Sequence, residues 1–214
     1  MQMKLRTNRK AKGFTLIEVL VVIAIMAALG AIAWVSVGIV NSKEANNTTQ
    51  MHVDKIAAAL NDYKANATTP MLWGNGDEAS ANALYQMLNC DFDGDGNTDK
   101  GLTPYCKELR YYDSASGEKP EGILYTDIGK NKYAILDPWN NYFFYRLGYS
   151  MEGPKSYSGK GGNKRSKGGS QTQKGKGINV DFDIFSLGED GAGDGRDNKG
   201  ANKDNITNIK FLTK

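Results

Sequence analysis

Lys12-Gly13-Phe14-Thr15-Leu16-Ile17-Glu18-Val19-Leu20 is the stretch that decides how the rest of this chain is read. Before Gly13 stand Lys4, Arg6, Arg9, Lys10 and Lys12 and no acid. After it comes an apolar run in which Glu18 is the first and only carboxylate. From Val19 to Val40 there are 22 positions with no charge and only Ser36 as a polar side chain. As a helix that run would be about 33 Å long, enough for a hydrocarbon core of about 30 Å. The basic flank stays on the cytoplasmic side by the positive-inside rule, which sends the C-terminal bulk across the membrane. A carboxylate inside such a segment costs about 2.5–3.5 kcal/mol on insertion scales, so its presence points to a function. An ordinary secretory signal, with an apolar core of about 7–15 residues and a cleavage site after it, is the shorter alternative. A plain signal anchor is another.

A small residue, Gly13, directly before an aromatic, with Glu18 four residues beyond that aromatic, resembles the class III (prepilin) signal of type IV pilins and type II secretion pseudopilins. The resemblance implies cleavage after Gly13 by a prepilin peptidase, methylation of the new Phe14 amine, and a role for Glu18 in assembly.

The basic balance of the whole chain belongs to the leader. Of 27 Lys and Arg, five precede Gly13; the remainder, 22 against 24 acids, has a net charge near −2. The high isoelectric point is therefore no argument for nucleic-acid binding. Cys90 and Cys106 are the two cysteines, an even pair in a segment expected in an oxidising compartment, which suggests a disulfide worth roughly 3 kcal/mol for a loop of that size. Neither belongs to a CxxC or Cys/His cluster, which argues against zinc.

No proline interrupts residues 14–69. Val53, Ile56, Ala57, Leu60 and Tyr63 recur at three- and four-residue spacing, so one long helix is expected over about residues 14–66. Its first half is apolar all round and its second half amphipathic. The seam Asn46-Asn47-Thr48-Thr49 has poor helix propensity and is a place to bend or fray. Thr69-Pro70 ends the helix. The organisation that follows is a leader at 1–13, a membrane or filament-core half at 14–40, an amphipathic half at 41–68 and a periplasmic α+β domain at 69–214. Within that domain a short helix is expected at Ala79–Leu88, and strands at Gly122–Thr126, Lys132–Leu136, Asn141–Leu147 and Val180–Ser186. Glu152–Gly177, rich in Gly, Ser and Lys with seven cations, reads as a flexible surface excursion, with an electrostatic contact as the functional alternative.

Two segments have oxygen donors in a pattern suited to a hard cation. Asp91, Asp93, Asp95, Asn97 and Asp99 alternate around Gly94 and Gly96, filling the odd positions of an EF-hand-like loop, while Leu102 stands where the bidentate Glu would be. A truncated calcium loop between Cys90 and Cys106 is expected there, against the plainer alternative of an Asp/Gly turn without an ion. Ser186-Leu187-Gly188-Glu189-Asp190-Gly191, followed by Asp194, Asp197, Asp204 and Asn205, is a weaker candidate on composition alone.

Two further segments sharpen the resemblance. Leu136-Asp137-Pro138-Trp139-Asn140-Asn141-Tyr142-Phe143-Phe144-Tyr145-Arg146 is similar to the Asp-Pro-Trp-Gly-Asn-Pro-Tyr segment of the major pseudopilins of type II secretion. Phe182-Asp183-Ile184-Phe185-Ser186-Leu187-Gly188-Glu189-Asp190-Gly191 is similar to their Ser-Leu-Gly-Ala-Asp-Gly segment. The inserts at 73–120 and 152–177 lie outside the likeness. It implies a type IV pilin-like α+β fold, a long helix on a small antiparallel sheet with a C-terminal calcium loop. Calcium contacts are implied from the Leu187 carbonyl, from Asp190 and from Asn205 or its neighbour Asp204. Asn205 occupies a position that is acidic in the family, and Val35 replaces the family's membrane-segment proline. The implied partners are prepilin peptidase, copies of the same chain in a helical filament, minor pseudopilins, the inner-membrane secretion platform and the membrane itself. A pilin of a type IV pilus is the second reading and a membrane-anchored enzyme the third. His52, the only histidine, reads as a surface residue of the helix and not as a catalytic base. Trp73, Trp139, Tyr142, Phe143 and Tyr145 read as core or sheet-face residues.

Overall fold

The computed structural model describes residues 15–154, 172–174, 176–196 and 199–209. The chain forms two compact units, residues 1–44 and 45–214. The leader, Gly13 and Phe14 lie outside the described residues.

Helix α1 runs from Leu16 to Asn66. Its start follows the expected boundary within two residues, and the Asn46–Thr49 seam stays helical. There the Thr49 hydroxyl donates to the Ala45 carbonyl at 2.8 Å, which satisfies a polar side chain that is fully buried. In the first unit the apolar side chains Leu16, Ile17, Val21, Val22, Ile25 and Leu29 stand exposed. Among the described residues no helix is long and apolar enough to cross a membrane. The expected span Val19–Val40 continues past Leu29 into side chains that lie outside the described residues.

In the second unit the amphipathic half of α1 buries Val53, Ile56, Leu60 and Tyr63, the spacing read from the sequence. Each contributes about 1.5–3 kcal/mol on burial if it behaves as an ordinary apolar side chain. The helix ends where Ala67 N donates to Tyr63 O at 2.8 Å and the Tyr63 hydroxyl to Pro70 O at 3.2 Å. Helix α2 (Glu78–Asn89) starts at Asp77, whose carboxylate accepts the Ser80 N–H at 2.9 Å, a regular N-cap. It stops at Cys90, which holds a left-handed conformation. Ala81, Leu84, Tyr85, Met87 and Leu88 are buried, and α2 packs against two of the strands below, so the segment outside the family likeness supplies part of the core.

The sheet structure differs from the expected single antiparallel sheet. Strand β1 (Leu109–Tyr111) lies parallel to β2 (Ile123–Asp127), which pairs antiparallel with β3 (Tyr133–Leu136). A second sheet has β4 (Phe144–Leu147) and β8 (Ile206–Thr207) on either side of β7 (Phe182–Ser186), all antiparallel. The bridge Leu136↔Tyr142 connects β3 to the approach to β4. At the two ends of the excursion expected over Glu152–Gly177, β5 (Glu152–Pro154) pairs with β6 (Thr172–Lys174); residues 155–171 between them lie outside the described residues. The class is α+β, with antiparallel-rich small sheets, as the sequence implied.

His52 corrects its sequence reading. It is buried at 8% exposure, edge-on to Phe143 with ring centroids 6.5 Å apart, and its Nδ1 has no hydrogen-bond partner. Amphipathic spacing placed it one step from the apolar stripe, and the Phe143 ring reaches over to cover it. Burial, with help from the Lys55 charge, lowers its pKa. The neutral imidazole is therefore the folded form. On unfolding in acid it takes up a proton, so its share of stability is present above pH ~6.5 and lost as pH falls through the lowered folded value. The urea midpoint should fall more steeply between pH 7 and 5 for the wild type than for His52→Leu, with a limiting difference of about 1.4 kcal/mol per pH unit. Parallel curves would remove His52 as the titrating group.

Candidate functional site

The start of α1 is a capping box. Glu18 Oε2 accepts the Thr15 N–H at 2.7 Å and the Thr15 hydroxyl at 2.8 Å, while Glu18 N donates back to Thr15 Oγ1 at 3.3 Å. This reciprocal pair satisfies amides that the first helical turn leaves open. The Thr-x-x-Glu spacing at Thr15 and Glu18 is the local sequence signal for this cap. Glu18 is fully exposed in the single chain, and its partners there are neutral.

The Asp91 loop hangs on the buried Asp91. Its Oδ1 accepts the N–H groups of Gly94 (2.8 Å) and Asp95 (3.2 Å), and its Oδ2 accepts Gly96 N (2.9 Å) and the Tyr85 hydroxyl (3.2 Å). Gly94 and Gly96 adopt positive φ of 77° and 87°, which winds the chain tightly enough to aim those amides inward. Burial raises the Asp91 pKa, opposed by the Gly94 and Gly96 amides. Asp91, Asp93 and Asp99 each offer an oxygen within 4.8 Å of the others. Calcium takes six to eight oxygens at about 2.3–2.6 Å, so a trio this close could reach one ion and supply part of such a shell. Asp95 is not in the trio; its carboxylate accepts Asn97 N at 2.8 Å.

Cys90 and Cys106 flank this loop as two separate buried thiols instead of the expected disulfide. Each sulfur is directed elsewhere: Cys90 Sγ donates to Thr103 O at 3.4 Å, and Cys106 Sγ lies 3.9 Å from Glu108 Oε2. Burial raises both pKa values to about 11, so both are protonated at neutral pH.

The two segments that carry the family likeness meet in space. The Ser186 hydroxyl donates to Asp137 Oδ2 at 2.6 Å and accepts Gly188 N at 3.0 Å. Asp137 Oδ1 takes the amides of Trp139 (3.0 Å) and Asn141 (2.8 Å), and Asn141 Nδ2 donates to Gly188 O at 2.7 Å. Burial raises the Asp137 pKa while Ser186 and the two amides oppose it. Gly188 sits at φ +71°, and a Cβ there would fall 2.5 Å from Asp204 O, so only glycine fits. The loop beyond is closed by Asp204, whose Oδ2 accepts Asp190 N at 3.1 Å, while Asp190 Oδ1 accepts Ala192 N at 2.8 Å.

Asn205 stands at the mouth of this loop. With its carboxamide nitrogen inward it donates to Leu187 O at 2.9 Å and to Ala192 O at 3.0 Å. The Leu187 carbonyl, Asp190, Asp204 and Asn205 are the set that the family likeness assigns to calcium. They do not fit an ion in this arrangement, because the amide nitrogen already takes the Leu187 carbonyl. Among the described residues, the only trio of converging acidic groups is at Asp91, Asp93 and Asp99, with none at the C-terminal loop.

Residues 8–34 match the family model of the prokaryotic N-terminal methylation motif. The matched range includes Gly13, Phe14, Thr15 and Glu18. It supports a type IV pilin-like precursor that is membrane-anchored, trimmed by prepilin peptidase and built into a filament, without separating a secretion pseudopilus from a pilus. No curated protein and no solved structure matches the chain.

Proposed function

We propose that this chain is a structural subunit of a type II secretion pseudopilus, not a catalyst. The observation that carries the reading is the methylation motif at residues 8–34, continued by a helix whose apolar side chains stay exposed from Leu16 to Leu29. An exposed apolar surface of that length needs lipid or identical helices as its surroundings. The leader is removed after Gly13, Phe14 becomes the methylated N-terminus, and Glu18 pairs with the Phe14 amine of a neighbouring copy. A head-to-tail contact of this kind, repeated without closing, builds an open helical filament. Support for a secretion pseudopilus over a pilus comes from the Asp137 and Ser186 segments, which are similar to those of major pseudopilins and are hydrogen-bonded to each other here.

Calcium is part of the same proposal at the Asp91 loop, where Asp91, Asp93 and Asp99 would hold it. The ion would neutralise carboxylates that otherwise repel one another, and stabilise the folded state as any ligand of that state does.

The test begins with the intact mass of the protein from membranes of its native host. A chain starting at methylated Phe14 is expected; one starting at Met1, or beyond Val40, overturns the filament reading. Deletion of the gene should then abolish export of folded proteins while surface pili remain. Loss of pili with normal export would assign the chain to a pilus.

A further inference from the structure

The carbonyls of Leu187 and Ala192 converge on one side-chain group, the Asn205 carboxamide. Its two orientations have different consequences. Nitrogen inward, it donates to both carbonyls, at 2.9 and 3.0 Å, and its oxygen accepts Gly195 N at 3.2 Å. The cost is an oxygen 2.8 Å from Asn202 Oδ1, an atom fixed as an acceptor because Asp194 N and Gly195 N donate to it at 2.7 and 2.9 Å. Oxygen inward, Asn205 Nδ2 gains that Asn202 contact at 2.8 Å. It then sets three oxygens against one another at 2.9 and 3.0 Å, with no donor among them. Only a cation would relieve that second arrangement. Without one, three hydrogen bonds and one oxygen–oxygen contact win over one hydrogen bond and two such contacts.

We propose that the C-terminal loop closes without a metal ion, the Asn205 carboxamide linking the Leu187 and Ala192 carbonyls by hydrogen bonds where related loops are expected to use calcium. An aspartate at 205 would have only acceptors to offer. It would repel both carbonyls unless a cation stood between them, so the single change from carboxamide to carboxylate converts a self-closed loop into an ion-dependent one. A neutral amide also removes one negative charge from a site whose other acids, Asp190 and Asp204, are engaged with backbone amides within the loop. This lowers the attraction of the wild-type loop for a divalent cation. The proposal does not rest on the filament reading and survives or fails apart from it.

Hydrogen exchange read by mass spectrometry on the full chain in detergent tests this, in chelator and in millimolar calcium. For wild type, the segment 186–207 should exchange at the same rate in both buffers. In Asn205→Asp, the same segment should exchange at least about tenfold faster in chelator, the equivalent of losing one or two net hydrogen bonds, and recover in calcium. Slower exchange of wild-type 186–207 in calcium overturns the proposal, as does an Asn205→Asp segment equally protected in chelator. If Asn205→Asp does not fold, Asn205→Ala replaces it; fast exchange in both buffers is then expected, and wild-type protection in Asn205→Ala overturns the idea. The segment 90–106, read in the same run, reports the Asp91 loop separately.

Discussion

Glu18→Gln is expected to be inserted, cleaved after Gly13 and folded like the wild type, yet to yield about a tenth or less of the wild-type filament. The substitution is chosen for what it keeps. Glutamine at the third helical position still completes a capping box with Thr15, so the start of α1 is preserved. What it removes is the negative charge. In the single chain that charge has only neutral partners and full access to solvent. In the proposed filament it would be buried in a bundle of apolar helices against the Phe14 amine of the next copy. Removing one member of a buried ion pair leaves the other uncompensated at about 3–5 kcal/mol, which a polymer feels at each added subunit. Thr15→Ala is the complement: it breaks the box and keeps the charge, and should assemble. Pelleting of sheared filaments, with the N-terminal mass confirming cleavage, decides between them. Normal filaments from Glu18→Gln, with failure of Thr15→Ala, would show that Glu18 matters for capping its own helix and not for pairing.

Arg146→Ala is expected to destabilise the second unit by about 3–5 kcal/mol, enough to leave it largely unfolded at 37 °C if its total stability is ordinary. Arg146 is 1% exposed in the middle of β4. Its guanidinium lies 4.3 Å from the Phe185 ring centroid, and its Nη1 is 3.8 Å from Asp183 Oδ2, itself fully buried. Asp183 keeps the amides of Ile178 and Asn179 at 2.7 and 2.8 Å, so the arginine adds charge balance and packing volume to a carboxylate already hydrogen-bonded. Burial lowers the Arg146 pKa, and its Nε and Nη1 have no hydrogen-bond acceptor, so the pair is not optimal for stability. The double variant Arg146→Met with Asp183→Asn should therefore recover much of the loss, because a pair that is costly to break can be cheap to replace. Chemical denaturation of the three chains measures this. A loss under 1 kcal/mol for Arg146→Ala would mean that water reaches the site.

Much of the architecture is periodic and local, and that part was legible. The apolar run, the spacing of Val53, Ile56, Leu60 and Tyr63, the Pro70 stop and the α2 segment depend on neighbours within a few positions, and their elements appear where expected. The four strands with aromatic and β-branched runs also appear, three of them shorter than their sequence signals and the one at Ile123–Asp127 shifted by one residue. β1 and β8 were not legible, since three- and two-residue strands carry no period of their own and exist because a partner strand offers them hydrogen bonds. The metal-loop pattern was visible in the spacing of Asp91, Asp93 and Asp99, but the departure of Asp95 from the trio was not.

The sequence by itself determined the long helix, its change from all-round apolar to amphipathic, the α+β class and the methylation motif that includes Gly13, Phe14 and Glu18. Those follow from side-chain chemistry repeated at the helical or strand period. Only the tertiary structure decided that His52 is covered by Phe143, that Arg146 and Asp183 are buried together, and that the Cys90 and Cys106 sulfurs point to different partners. It alone put Asn205 between the carbonyls of Leu187 and Ala192. These contacts join residues from separate elements, or turn on the orientation of a single side-chain group. Their energies depend on burial and on which donor faces which acceptor, and neither quantity exists until the chain has folded.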